Sequence, residues 1–90
     1  MRFVFLYSLG ENYDKSLIGD HIRYLKRMAE EGKNLMSGPF IDDAASRGIA
    51  IIEAEDEGSA QEIYENDPGI QNKVLQAEIL KWNVMFEAAK

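Results

Sequence analysis

The run Phe3-Val4-Phe5-Leu6-Tyr7 is apolar at every position, so a strand made of it has no face to offer to water. Ile49 to Ala54 is again nearly all apolar, with Ile49 and Ile51 alternating with Ala50 and Ile52. A sheet containing two such strands must be covered on both sides. A chain of 90 residues has material for one layer of helices and one core near the small end of the self-sufficient range. The second face then needs a partner, and the expectation is a homo-oligomer, a dimer at least, packed sheet against sheet.

The rest of the chain fits this frame. Phe3 to Ser8, closed by Gly10, predicts strand one. After the polar stretch Glu11 to Lys15, Ile18, Ile22, Leu25 and Ala29 recur at three- and four-residue spacing up to Gly32, which predicts an amphipathic helix of roughly four turns. Asn34 to Phe40 predicts strand two, with Leu35 and Met36 buried. Ile41 to Gly48 predicts a hairpin connection, and Ile49 to Ala54 strand three. Ser59 with Glu62 has the spacing of a capping box, followed by the apolar stripe Ala60, Ile63 and Tyr64, so a second helix starts there. It stops by Asn66 or Asp67, because Pro68 disfavours helical geometry in the residue before it and has no N–H to donate. Ala77 to Val84 predicts an edge strand, and Met85 to Lys90 is too short to assign. The order βαββαβ gives an α+β, ferredoxin-like domain over residues 1–90, with both helices on one face of a four-stranded antiparallel sheet.

Charge and composition narrow the function. The formal net charge of -6 repels phosphates and argues against nucleic acid as a partner. Without cysteine there is no disulfide, thiolate nucleophile or thiolate metal site, and a cytoplasmic location is expected. The N-terminal apolar run is too short for a membrane span and lacks a leader-peptide cleavage pattern, so no membrane partner is expected. One histidine and no spaced ligand set argue against a metal site; the acidic residues Asp42, Asp43, Glu55, Asp56 and Glu57 are taken as solvated loops. No glycine loop of phosphate-binding type is present, so no cofactor is expected.

His21 lies at the border of the first helix's apolar stripe, half inside. It is either a boundary residue with one nitrogen satisfied locally or a proton-transfer group, and the second role needs a partner. Asp67, placed at a helix end by Pro68, is the best candidate, although Asn-Asp-Pro-Gly is also good turn chemistry. Tyr7 and Trp82 are core or interface aromatics, or they line a pocket for an aromatic ligand.

His21-Ile22-Arg23-Tyr24-Leu25, Gly32, Ser37-Gly38-Pro39, Asp67-Pro68 with Ile70, and Trp82 occur in an order and spacing that resembles the YCII-related family of dimeric α/β-barrel proteins, over residues 3–82. The resemblance implies a pocket in which His21 pairs with Asp67; the candidate residues for binding a small-molecule substrate beside that pair are Tyr7, Ser37, Gly38 and Pro39. It implies cofactor-independent proton transfer, an elimination such as dehydrochlorination or an isomerisation, on a small aromatic or lactone-like compound. The competing expectation is a non-catalytic ligand-binding or assembly module of the same fold. One departure stands out. Many members carry a bulky residue after Asp-Pro and a glycine before the last strand, where this chain has Gly69 and Lys73, so pocket shape and substrate do not carry over.

Overall fold

The computed structural model describes residues 1–89. Four strands form one antiparallel sheet: β1 (Arg2–Leu9), β2 (Asn34–Pro39), β3 (Gly48–Glu53) and β4 (Leu75–Trp82), in the spatial order β2-β3-β1-β4. Helix α1 (Gly19–Glu30) connects β1 to β2; α2 (Glu57–Glu65) and the four-residue α3 (Pro68–Gln71) connect β3 to β4. This is the α+β, ferredoxin-like arrangement that the order of apolar runs predicts. Among the described residues no helix is long and apolar enough to cross a membrane.

The alternation of β1 decides the core. Phe3, Phe5 and Tyr7 point under the helices and are buried, facing Ile52 and Ala50 across the β3 register. Burying side chains of this size contributes about 1.5–3 kcal/mol each. Val4 and Leu6 point the other way. In register with Val4 stand Ile51 of β3 and Leu80 of β4, and Met36 of β2 stands beside Ile51. On this outer face Met36 is 69% exposed, Leu80 42% and Trp82 45%. The chain after β4 returns along one side of it, tied by Arg2 to Glu87 at 3.0 Å.

Several boundaries differ from the sequence expectation for identifiable reasons. Leu35 and Met36 are exposed rather than buried, because β2 is bulged between Asn34 and Met36: Asn34 pairs with Ile52 and turns inward, and Met36 pairs with Ile51 on the outer face. Helix α2 begins two residues before Ser59. Its cap is Asp56, whose carboxylate accepts from the Ser59 N–H at 2.8 Å. Strand β4 begins at Leu75, opposite Leu9, rather than at Ala77. A short 3-10 turn, Lys15–Leu17, precedes α1.

The largest shift is in α1. Its buried residues are His21, Tyr24 and Met28, while Ile22 is 58% exposed and Ala29 is exposed as well. The apolar arc is wider than one stripe, and neighbours choose its centre: the Tyr24 hydroxyl donates to the Ile63 carbonyl of α2 at 2.7 Å, and His21 meets Asp67. Gly32 ends the helix with φ of +78°, where its N–H reaches the Ala29 carbonyl and the Lys33 N–H reaches that of Met28.

Candidate active site

The turn between α2 and α3 places the acid. Asn66 caps the end of α2, and Asp67 is extended (φ -75°, ψ 117°) as the N-cap of α3, with Pro68 in the first helical position. Asp67 Oδ1 accepts from the Gly69 N–H at 2.8 Å, and Oδ2 is 2.7 Å from Nδ1 of His21. The Asp67 side chain is 1% exposed and that of His21 9%. A carboxylate only accepts, so the His21 nitrogen facing it donates. The neutral ring therefore carries its proton on Nδ1 and leaves the Nε2 lone pair free.

Nε2 makes no hydrogen bond among the described residues, and it is not among their sealed polar atoms. His21 lines a cleft of about 1000 Å³ between α1, the inner edge of the sheet and the loop between β2 and β3. Ile18, Ile22, Leu25 and Ala29 form its helical wall, Ile18 and Leu25 packing against the core as well. Opposite, Tyr7 meets the imidazole edge to face, with centroids 5.0 Å apart and planes at 68°. The Tyr7 side chain is 5% exposed overall, and its hydroxyl has no hydrogen-bond partner among the described residues. Burial, and after it the negative charge of Asp67, push the Tyr7 phenol far above its ordinary pKa, so it is a neutral donor at every physiological pH.

Every residue singled out from the sequence has a definite place. His21, Tyr7, Ser37, Gly38 and Pro39 all line the cleft, and Asp67 stands behind His21. Trp82 is on the opposite side of the sheet, among the outer-face residues. Two contributors were given no part in holding the site. Gly69 lets α3 lie against the imidazole, its place in a turn-forming Asn-Asp-Pro-Gly masking that role. Asn34 is turned into the cleft wall by the β2 bulge, which has no signature in the sequence. Among the described residues no group of three or more His, Asp or Glu side chains is placed to hold a metal ion. The loop acids do more than meet water: Asp43 clamps its own loop through Arg47, and Asp56 caps α2.

A family model described as the YCII-related domain matches residues 1–83. The chain is 30% identical over 74 residues to the uncharacterized protein YjpA of Bacillus subtilis (strain 168), covering 82% of this chain and 85% of that one. Among solved structures it is similar in fold to the 5-chloro-2-hydroxyhydroquinone dehydrochlorinase TftG from Burkholderia phenoliruptrix AC1100, in complex with 2,5-dihydroxybenzoquinone. The TM-score is 0.68 at 20% identity, over 92% of this chain and 94% of that one.

Proposed function

The chain belongs to the YCII-related domain family, and from that premise we propose that it is a small enzyme in which His21, oriented by Asp67, moves a proton on a small aromatic or lactone-like substrate, in an elimination or an isomerisation. One observation carries the proposal: a buried His-Asp pair that lines a largely apolar cleft of ligand size, with the second ring nitrogen left without a partner among the described residues. A pair serving structure alone has no need of that opening. The dehydrochlorinase activity of the similar fold supports the same reaction class at the level of fold only.

The chemistry follows from the geometry. Nε2 accepts a proton from a substrate carbon or hydroxyl, and the electron pair left behind either expels a leaving group such as chloride or moves along the ring as a new double bond. The imidazolium so formed is stabilised by the Asp67 carboxylate 2.7 Å away. Tyr7 donates its phenolic proton in a hydrogen bond to oxygen that gains charge as the proton leaves. The proton on Nε2 then returns to water after an elimination or to another substrate atom in an isomerisation. Such a step needs a base and a donor, and that His21 and Tyr7 both line the cleft supports these two roles.

The uncovered outer face supports a further part of the reading, that two copies pack sheet to sheet around Val4, Ile51 and Met36. The proposed activity is tested by assaying chlorinated hydroxyhydroquinones and small lactones with wild type and His21→Ala. Wild type is expected to convert at least one of them, and His21→Ala to lose about 100-fold or more while remaining folded. A folded His21→Ala with full turnover rules the base out.

A further inference from the structure

Asn34 is 5% exposed and held from two sides: its Nδ2 donates to the Leu25 carbonyl at 3.1 Å and to Ser37 Oγ at 2.8 Å. Its Oδ1 is buried without a partner among the described residues. Turning the amide over would set that oxygen against the Leu25 carbonyl, acceptor against acceptor, so the orientation is fixed. A buried acceptor left empty costs stability, and an apolar residue at position 34 avoids the cost. The amide is therefore not explained by packing. What it does supply is an oriented Ser37: with a lone pair of Oγ engaged, the Ser37 O–H is free, strengthened as a donor, and exposed on the cleft.

The sheet register says where that donor stands. Ser37 is opposite Ala50 of β3, and Ala50 is opposite Phe5 of β1, so Ser37 shares the inner face with Phe5 and Tyr7. Strands β2 and β1 are two spacings apart, roughly 9–10 Å. Tyr7 lies two residues beyond Phe5, about 7 Å further along β1, so a substrate touching Ser37 at one end and Tyr7 at the other bridges backbone positions roughly 12 Å apart. A six-membered ring with a hydrogen bond at either end does so, and a two- or three-carbon acid does not. The helical wall of Ile18 and Leu25 suits the ring's apolar faces.

We propose that Ser37, positioned by Asn34, docks an acceptor oxygen, a ring carbonyl or oxyanion, on the side of a cyclic substrate remote from the atom that His21 deprotonates. This rests on the proton-transfer reading and adds the substrate's shape and second polar contact. Asn34 is a positioning residue and Ser37 a binding residue.

The test uses 2,5-dihydroxybenzoquinone, a ring with oxygens at both ends, as the probe. Its affinity is measured by calorimetry for wild type, Ser37→Ala, Ser37→Thr, Asn34→Leu and the Ser37→Ala/Asn34→Leu double variant, with melting temperatures and the NMR signals of the His21 ring followed alongside. Ser37→Ala and Asn34→Leu are each expected to weaken binding about tenfold, about 1.4 kcal/mol. The double variant is expected to lose no more than either, Ser37→Thr to retain binding, and Asn34→Leu to melt no lower than wild type. Unchanged affinity in Ser37→Ala, with the probe still moving the His21 signals, overturns the inference and leaves the proton-transfer reading standing. If Asn34→Leu loses affinity only in step with a lowered melting temperature, its positioning role is overturned. A wild type whose His21 ring ignores the probe overturns the proton-transfer reading, and the inference with it.

Discussion

A Cβ on Gly69 would stand 2.9 Å from the Cβ of His21 and 3.1 Å from its Nδ1, so α3 lies against the imidazole only because position 69 has no side chain. The close approach brings Asp67, two residues earlier, to bonding distance. Gly69→Ala must push α3 and His21 apart. The expected cost is about 1–3 kcal/mol in denaturant unfolding, typical of a side chain forced into a filled space. Turnover should fall further than the stability loss accounts for. An unchanged unfolding midpoint would mean that α3 shifts freely and that the dyad is not tightly held.

Tyr7→Phe removes a hydroxyl that bonds to nothing among the described residues and keeps the ring that packs against His21 and Phe5. Stability should stay within about 0.5 kcal/mol. Turnover of whichever compound the wild type converts should drop about 10- to 100-fold, because the donor to the developing charge is gone. Full activity in Tyr7→Phe would reduce Tyr7 to a packing residue.

The outer sheet face predicts an oligomer. Light scattering at micromolar concentration should give at least twice the mass of the 10.2 kDa chain. Ile51→Glu, placed between Val4 and Met36, should return it to a monomer by leaving a charge unpaired in the contact. A monomeric wild type would contradict sheet-to-sheet packing.

The loop over the cleft carries its own pH dependence. The Arg47 guanidinium, and after it the Arg47 N–H, lower the Asp43 carboxyl from the ordinary 3.8 to about 2. Because the folded value is the lower one, the clamp is fully present above pH 4 and is lost as pH falls through about 2. NMR should show the Asp43 carboxyl titrating near 2, with the Arg47 amide signal moving in step. An Asp43 that titrates at its ordinary value would show that the clamp does not form in solution.

The two apolar faces of β1 and β3 made the single helical layer and the uncovered outer face legible, because alternation along a strand maps directly onto sides of a sheet. Pro68 made the position of Asp67 legible for a similar reason: its ring fixes where a helix can stop. The periodicity of α1 was less informative. Ile18, Ile22, Leu25 and Ala29 are spaced like a core stripe, but the helix buries His21, Tyr24 and Met28 and leaves the other stripe as the cleft wall. Hydropathy marks an apolar arc without saying which part meets protein and which meets a ligand. The roles of Asn34 and of Gly69 against His21 were invisible because a bulge and a close backbone approach are tertiary facts. Local turn chemistry explains Gly69 equally well, and nothing in the sequence around Asn34 announces that its side chain points inward.

The measurement closest to the central claim is the ring nitrogen NMR spectrum of His21 at a pH where the ring is neutral, with and without 2,5-dihydroxybenzoquinone. A proton fixed on Nδ1, a bare Nε2, and an Nε2 signal that moves when the compound is added are the predicted result. A proton on Nε2 with Nδ1 bare, or a ring that does not respond, would contradict a dyad built to present a base to the cleft.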